Sequence, residues 1–225
     1  MTALLPHYTH IVNPKLKHTY LSFDEYGELL IKSPGISRKE IETLLIQKSG
    51  WIRRAQKKLQ EKKGYRVNFN DRMTLYYLGQ SYPLKLEQSA EKVTRLHFDT
   101  EAFTLHYHTY QPELFQKKID RFYRDTAQTY IPPLVSQWAE TMELFPHDIR
   151  FRKTRRQWGS CSSGDRLSFN TMLMKLPEET ITYVIIHELA HIRHKHHQKA
   201  FWKLIEATMP AYKEQVAILN TYTPA

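Results

Sequence analysis

A chain of 225 residues with 41% hydrophobic and 25% charged residues and only seven glycines fills one large or two small cored domains, which excludes collagen, linker and disordered classes. The formal charge of +10, from 33 Lys+Arg against 23 Asp+Glu, attracts anions and puts nucleic acid among the partners to weigh. The lone Cys161 closes no intramolecular disulfide, the N-terminal Met1-Thr-Ala-Leu-Leu-Pro-His has no leader pattern, and no stretch nears the ~18 apolar residues of a span, so a cytoplasmic protein without a membrane partner is expected.

Apolar and aromatic residues partly alternate from Lys17 to Ser33 around Asp24-Glu25-Tyr26-Gly27, which predicts a hairpin with glycine in its turn. Ser37 stands as an N-cap with Glu40 completing a capping box, and Ile41, Leu44, Leu45, Lys48, Ile52 and Leu59 continue at helical spacing towards Gly64. Two β-rich stretches follow, Met73 to Leu86 broken at Gly79-Gln80-Ser81 and Val93 to His108 broken at Asp99-Thr100-Glu101. From Pro112 the spacing turns helical through Leu114, Ile119, Phe122, Tyr123, Ala127 and Tyr130, is interrupted at Pro132-Pro133, and resumes from Leu134 to Leu144, as a kinked or split helix would. Ile149 to Lys153 and Leu167 to Leu173 read as short strands, and Pro177 at N1 opens a helix from Glu178 to about His194. The fold class expected is α+β, with a β-rich region carrying one basic helix over 1–110 and a helical linker followed by a catalytic core over 111–225.

Five of the twelve histidines, at 187, 191, 194, 196 and 197, fall within eleven residues. His187-Glu188-Leu189-Ala190-His191 fits H-E-x-x-H, in which two imidazoles one helical turn apart face the same side. At ~100° per residue the two lie about 40° apart around the axis, while Ile181, Ile185, Leu189 and Ile192 form an apolar face for a core. Two histidine nitrogens can bind Zn²⁺, and a catalytic site needs a third protein ligand and one open position. Glu188, beside the first ligand, can take a proton from water. His194 sits near the ligand face but rises roughly 10 Å beyond His187 on a straight helix, too far to share one ion. A chain that leaves the helix there, with a histidine in the left-handed conformation, brings in His196 or His197 instead.

These residues are similar to a known family. Trp158-Gly-Ser-Cys-Ser-Ser163 followed by a strand, and His187-Glu-Leu-Ala-His191 continued to His197, Phe201 and Trp202, resemble the YgjP-like metallohydrolases, often labelled metallopeptidases and related to the zincin-like SprT and WLM groups. The likeness covers nearly the whole chain, through a hairpin, a basic helix carrying Trp51-Ile52, further strands and a helix. It implies a zincin-like catalytic region, with His197 as the third ligand rather than His196. Gln157 and Gln198 depart from the family pattern, standing where a basic residue and a small hydroxyl residue are usual. Cys161 reads as a structural thiol rather than a ligand or nucleophile, and Trp158 as core or cleft wall.

A three-histidine zinc site acidifies water and polarises the bond under attack, with Glu188 relaying the proton. Basic residues gather over Lys48 to Arg66, where Arg53, Arg54, Lys57, Lys58, Lys62 and Lys63 read mainly as a solvated helix face, and over Arg150 to Arg156. Arg152, Arg155 and Arg156 abut the Trp158 motif and are placed to meet phosphates, although a charged strand edge looks the same. Three functions compete, in this order: a zinc peptidase, a zinc hydrolase of a phosphorylated small molecule such as a nucleotide, and a nucleic-acid-associated protein.

Overall fold

The structure is a computed structural model that describes residues 6–24, 28–60, 63, 64, 67, 69 and 73–224. Its contacts divide the chain into two units, Met1–Arg66 and Val67–Ala225. The strand-rich stretch 74–107 belongs with the second unit, and the change of texture after residue 110 marks the start of a helix within that unit. No helix among the described residues is long and apolar enough to cross a membrane.

In the first unit β1 (Tyr8–Val12) pairs in parallel with β3 (Leu29–Ser33), and β2 (Tyr20–Phe23) pairs with β3 in antiparallel fashion, giving the order β1-β3-β2. The expected turn residues Glu25, Tyr26 and Gly27 lie outside the described residues. Strand β1 escaped the sequence reading because its own apolar residues Ile11 and Val12 are exposed, so it carries no buried period. Helix α1 (Arg38–Gln60) starts at the capping box: the Ser37 backbone N–H donates to Glu40 Oε2 at 2.8 Å, and the Glu40 N–H donates to Ser37 Oγ at 3.3 Å. Ile41, Leu45 and Ile52 of α1 bury a small core with Leu29 and Ile31, while Lys48, Arg53, Arg54 and Lys57 stay exposed.

In the second unit β4 (Thr74–Tyr77) and β5 (Gln80–Gln88) form a hairpin, and β6 (Arg95–Phe98) and β7 (Phe103–Tyr107) form another; β5 and β7 run parallel, giving the order β4-β5-β7-β6. The first turn is the pair Leu78-Gly79, at φ 46° and 81°, so Gln80 and Ser81 join the ladder instead of breaking it as expected. Two positive φ values match the turn to the strand twist, and a side chain at Gly79 would also meet Pro177 at 2.9 Å.

Helix α2 (Pro112–Met142) runs continuously through Pro132 and Pro133, so of the kinked or split helix expected there the split form is corrected. Two prolines remove two backbone donors, yet Phe115, Ile119, Tyr123, Ala127, Ile131, Val135 and Ala139 are buried at strict four-residue spacing. That spacing advances 40° per step, so the buried stripe winds around α2 and tertiary packing outweighs the lost hydrogen bonds. A second sheet holds β8 (Asp148–Arg152), β9 (Gly159–Cys161) and β10 (Arg166–Asn170) in the order β8-β10-β9, with β8 parallel and β9 antiparallel to β10. A 3-10 turn at Thr171–Lys175 leads to α3 (Glu178–Arg193), α4 (Lys199–Thr208) and α5 (Tyr212–Leu219). Buried Thr180 donates to Gln215 Oε1 at 2.8 Å and ties α3 to α5.

Lys175 is buried at the end of the 3-10 turn, its ammonium 5.6 Å from the ring centre of Tyr123. Burial, and next the charge of Lys153, pull its pKa down to about 7. An unfolded lysine titrates near 10.4, so between about pH 7 and 10 the unfolded chain holds the extra proton and stability rises with pH. The expected rise between pH 7 and 9 approaches a factor of ten in the folding equilibrium per pH unit, and Lys175→Met should flatten it. Urea unfolding at pH 7, 8 and 9 decides, an equal slope in both proteins counting against the assignment.

Candidate metal centre

Helix α3 is anchored by Ile181, Ile185 and Leu189, all buried, and a different face carries His187 and His191 with ring centres 5.0 Å apart. The helix ends at His194, whose N–H still donates to Ala190 O at 2.9 Å. His194 is extended, at φ −127° and ψ 97°, so the chain reverses without the left-handed residue anticipated there. The reversal delivers His197: its ring centre lies 5.0 Å from His187 and 4.6 Å from His191. One nitrogen from each of His187, His191 and His197 lies within 4.8 Å of the other two, while His196 stays outside that group and exposed.

His187 Nε2 and His197 Nε2 face each other at 3.0 Å. Two nitrogens on one tetrahedral zinc at 2.0–2.1 Å stand about 3.3 Å apart, so the spacing and the all-imidazole donor set fit that ion. The His194 carbonyl can only accept, so the 3.0 Å contact to His191 Nδ1 puts the proton on Nδ1 and the lone pair on Nε2. The Tyr183 hydroxyl lies 3.3 Å from His187 Nδ1, one helical turn earlier. Tyr183, Tyr212, Trp202 and His197 then stack in a row at 6.4, 5.7 and 5.6 Å, so α3, α5 and α4 each give a ring to the wall behind two of the histidines. The Trp202 indole N–H donates to His197 O at 3.2 Å, and buried Phe201 touches all three imidazoles, with ring centres 5.0, 4.7 and 4.7 Å away.

Burial, then the neighbouring histidines His191 and His197, drive the His187 pKa down to about 3, and burial also lowers that of His191. Both imidazoles therefore stay neutral, the form that binds metal. Glu188, next to His187 on α3, is 5% exposed; burial raises its pKa to about 8. Its Oε2 is buried and has no hydrogen-bond partner among the described residues. Against it lies Gly159 of β9, where a Cβ would come within 2.6 Å of Glu188 Oε1 and 2.7 Å of Cγ. The Trp158-Gly-Ser-Cys motif thus supplies an edge strand with no side chain at the point where it crosses the buried carboxylate.

Sequence reasoning missed Gly159 and Tyr183. The four-residue step from Tyr183 to His187 was visible, but nothing local says that a phenol will find an imidazole. Cys161 stays outside the histidine group, and burial holds its thiol above the usual range, against a thiolate role. Buried Asn170 donates to the Thr154, Gln157 and Pro224 carbonyls at 2.8, 3.1 and 3.1 Å, which fixes the loop that leads into β9. Gln198, the N-cap of α4, makes no side-chain cap.

The YgjP-like, metallopeptidase domain family matches residues 17–222, nearly the whole chain. The crystal structure of the metallopeptidase zymogen of Pyrococcus abyssi abylysin is similar at 24% identity over 37% of this chain and 85% of that one, with a TM-score of 0.35. No curated protein matches the chain.

Removing the Tyr183 hydroxyl should loosen the His187 ring, and Tyr183→Phe is expected to weaken divalent-metal affinity about tenfold. Gly159→Ala should displace Glu188 alone and leave affinity within about threefold of the parent. Competitive chelator titration measures both, and unchanged affinity in Tyr183→Phe would remove the phenol from the support of the site.

Proposed function

The chain belongs to the YgjP-like metallopeptidase family, and on that premise we propose that it is a zinc-dependent peptidase with a three-histidine site and a glutamate base. The observation that carries the reading is the meeting of three imidazoles, two of them on a helix that also buries the carboxyl of Glu188 with its Oε2 unpartnered among the described residues. His187, His191 and His197 hold the ion. When bound, zinc supplies Lewis acidity, which acidifies water and polarises a peptide carbonyl.

The protein's own groups do the rest. In its ionised form Glu188 takes a proton through Oε2 from the attacking water as the new C–O bond forms, and hands it to the amide nitrogen as the C–N bond breaks, so the carboxylate returns to its starting form. Tyr183 and the His194 carbonyl fix the ring orientations of His187 and His191 through the nitrogens that face away from the ion. Phe201, fully buried against all three rings, keeps bulk water from behind the ligands. Gly159 leaves the carboxylate its place. A metal-dependent phosphohydrolase acting on a nucleotide is the second reading, favoured by the arginines of β8 and β10; it uses the same metal residues, and parallel peptide and nucleotide panels on the zinc-loaded protein separate the two.

Glu188→Gln should keep one zinc per chain and lose about 10²–10⁴-fold in hydrolysis. His187→Ala and His191→Ala should lose the metal itself. Metal analysis of the purified variants beside a peptide cleavage assay is the test; full zinc occupancy in both histidine variants would sink the reading. Gly159→Ala is expected to resemble Glu188→Gln, metal retained and rate lost, because it moves the same carboxylate.

A further inference from the structure

Strand β9 has two sides with different chemistry. Gly159 lies against Glu188, and neighbouring residues of a strand point to opposite faces, so Ser160 looks the other way. There its hydroxyl accepts from Arg152 Nη2 at 2.8 Å. On that side is an open groove of about 470 Å³ lined by Arg150, Arg152 and Arg166 together with Ser160, Ser162 and Ser168. Asp148 braces Arg150 at 2.7 Å. The register sets the spacing: Arg166 pairs with Asp148 and Ser168 with Arg150 across β10 and β8.

We propose that this groove receives the acidic side chains of an extended peptide substrate, so that the protein prefers Asp- or Glu-bearing segments beside the bond it cuts. The inference rests on the peptidase reading for its cleavage step. Arg150 and Arg152 are two residues apart on β8, about 7 Å, which is the repeat of same-side side chains in an extended peptide. The serine hydroxyls add donors for the second oxygen of each carboxylate. β9 is the edge of its sheet, with the groove on its Ser160 face and Glu188 on its Gly159 face.

Binding to the zinc-loaded Glu188→Gln protein isolates recognition from cleavage. A fluorescent peptide with alternating glutamates should bind about tenfold more tightly than its glutamine counterpart at low salt, and added salt should reduce the difference. The exposed pair Arg150→Gln and Arg166→Gln, combined in one protein with an unchanged Tm, should abolish the preference. Equal binding of the two peptides, or a preference that survives the double substitution, overturns the proposal. Pyrophosphate is the third arm: tight pyrophosphate binding lost in the double variant, with no preference between the peptides, assigns the groove to phosphates instead. Peptide cleavage by the wild-type protein is scored separately. No cleavage with the preference intact removes the peptidase reading alone, and cleavage without preference removes the groove alone.

Discussion

A carboxyl group that is buried with one oxygen unpaired is the constraint on which this architecture turns. Leaving such an oxygen without a partner costs about 1–3 kcal/mol, and the surrounding fold must supply that stability. It does so along α3, where Ile181, Ile185, Ile186 and Leu189 are fully buried. The same constraint reaches into the second sheet. Because the Glu188 side chain fills the space where a Cβ would stand, β9 carries glycine where it crosses α3, and the loop before it is held by the side chain of Asn170.

The histidine group depends on a different device, the way α3 stops. Continuing the helix would carry the later histidines away along its axis. An extended His194 instead turns the chain, and its carbonyl orients His191 in doing so. α4 then fixes His197 through Trp202, and Phe201 fills the space beneath all three rings. One residue thus serves both the geometry and the protonation state of the site. The neutral imidazoles of His187 and His191 follow from burial and from the histidines beside them.

The elements that read correctly from sequence are those whose signal is local. Ser37 and Glu40 announce a helix start because both partners of the capping box lie in one turn. Leu78-Gly79 was misplaced by a residue or two because Gly79 draws attention while Leu78, a residue that rarely takes positive φ, shares the turn. Pro132 and Pro133 pointed to a break that α2 does not show, because helix propensity is weaker than a stripe of packed side chains running its whole length. β1 and β9 had too little apolar period to be seen, and each exists through the neighbour it pairs with.

The sequence by itself determined that His187, Glu188 and His191 share a helix with one apolar face, since a four-residue spacing and a 100° turn leave no other arrangement on α3. It also left His196 and His197 as equals until a family resemblance chose between them. Only the tertiary structure decided that His197 joins the other two, that Tyr183 and Tyr212 stand behind them, and that Gly159 makes room for Glu188. Those decisions depend on where separate elements come to rest in space, and residues as far apart in the chain as Gly159 and Glu188 carry no mark that they will meet.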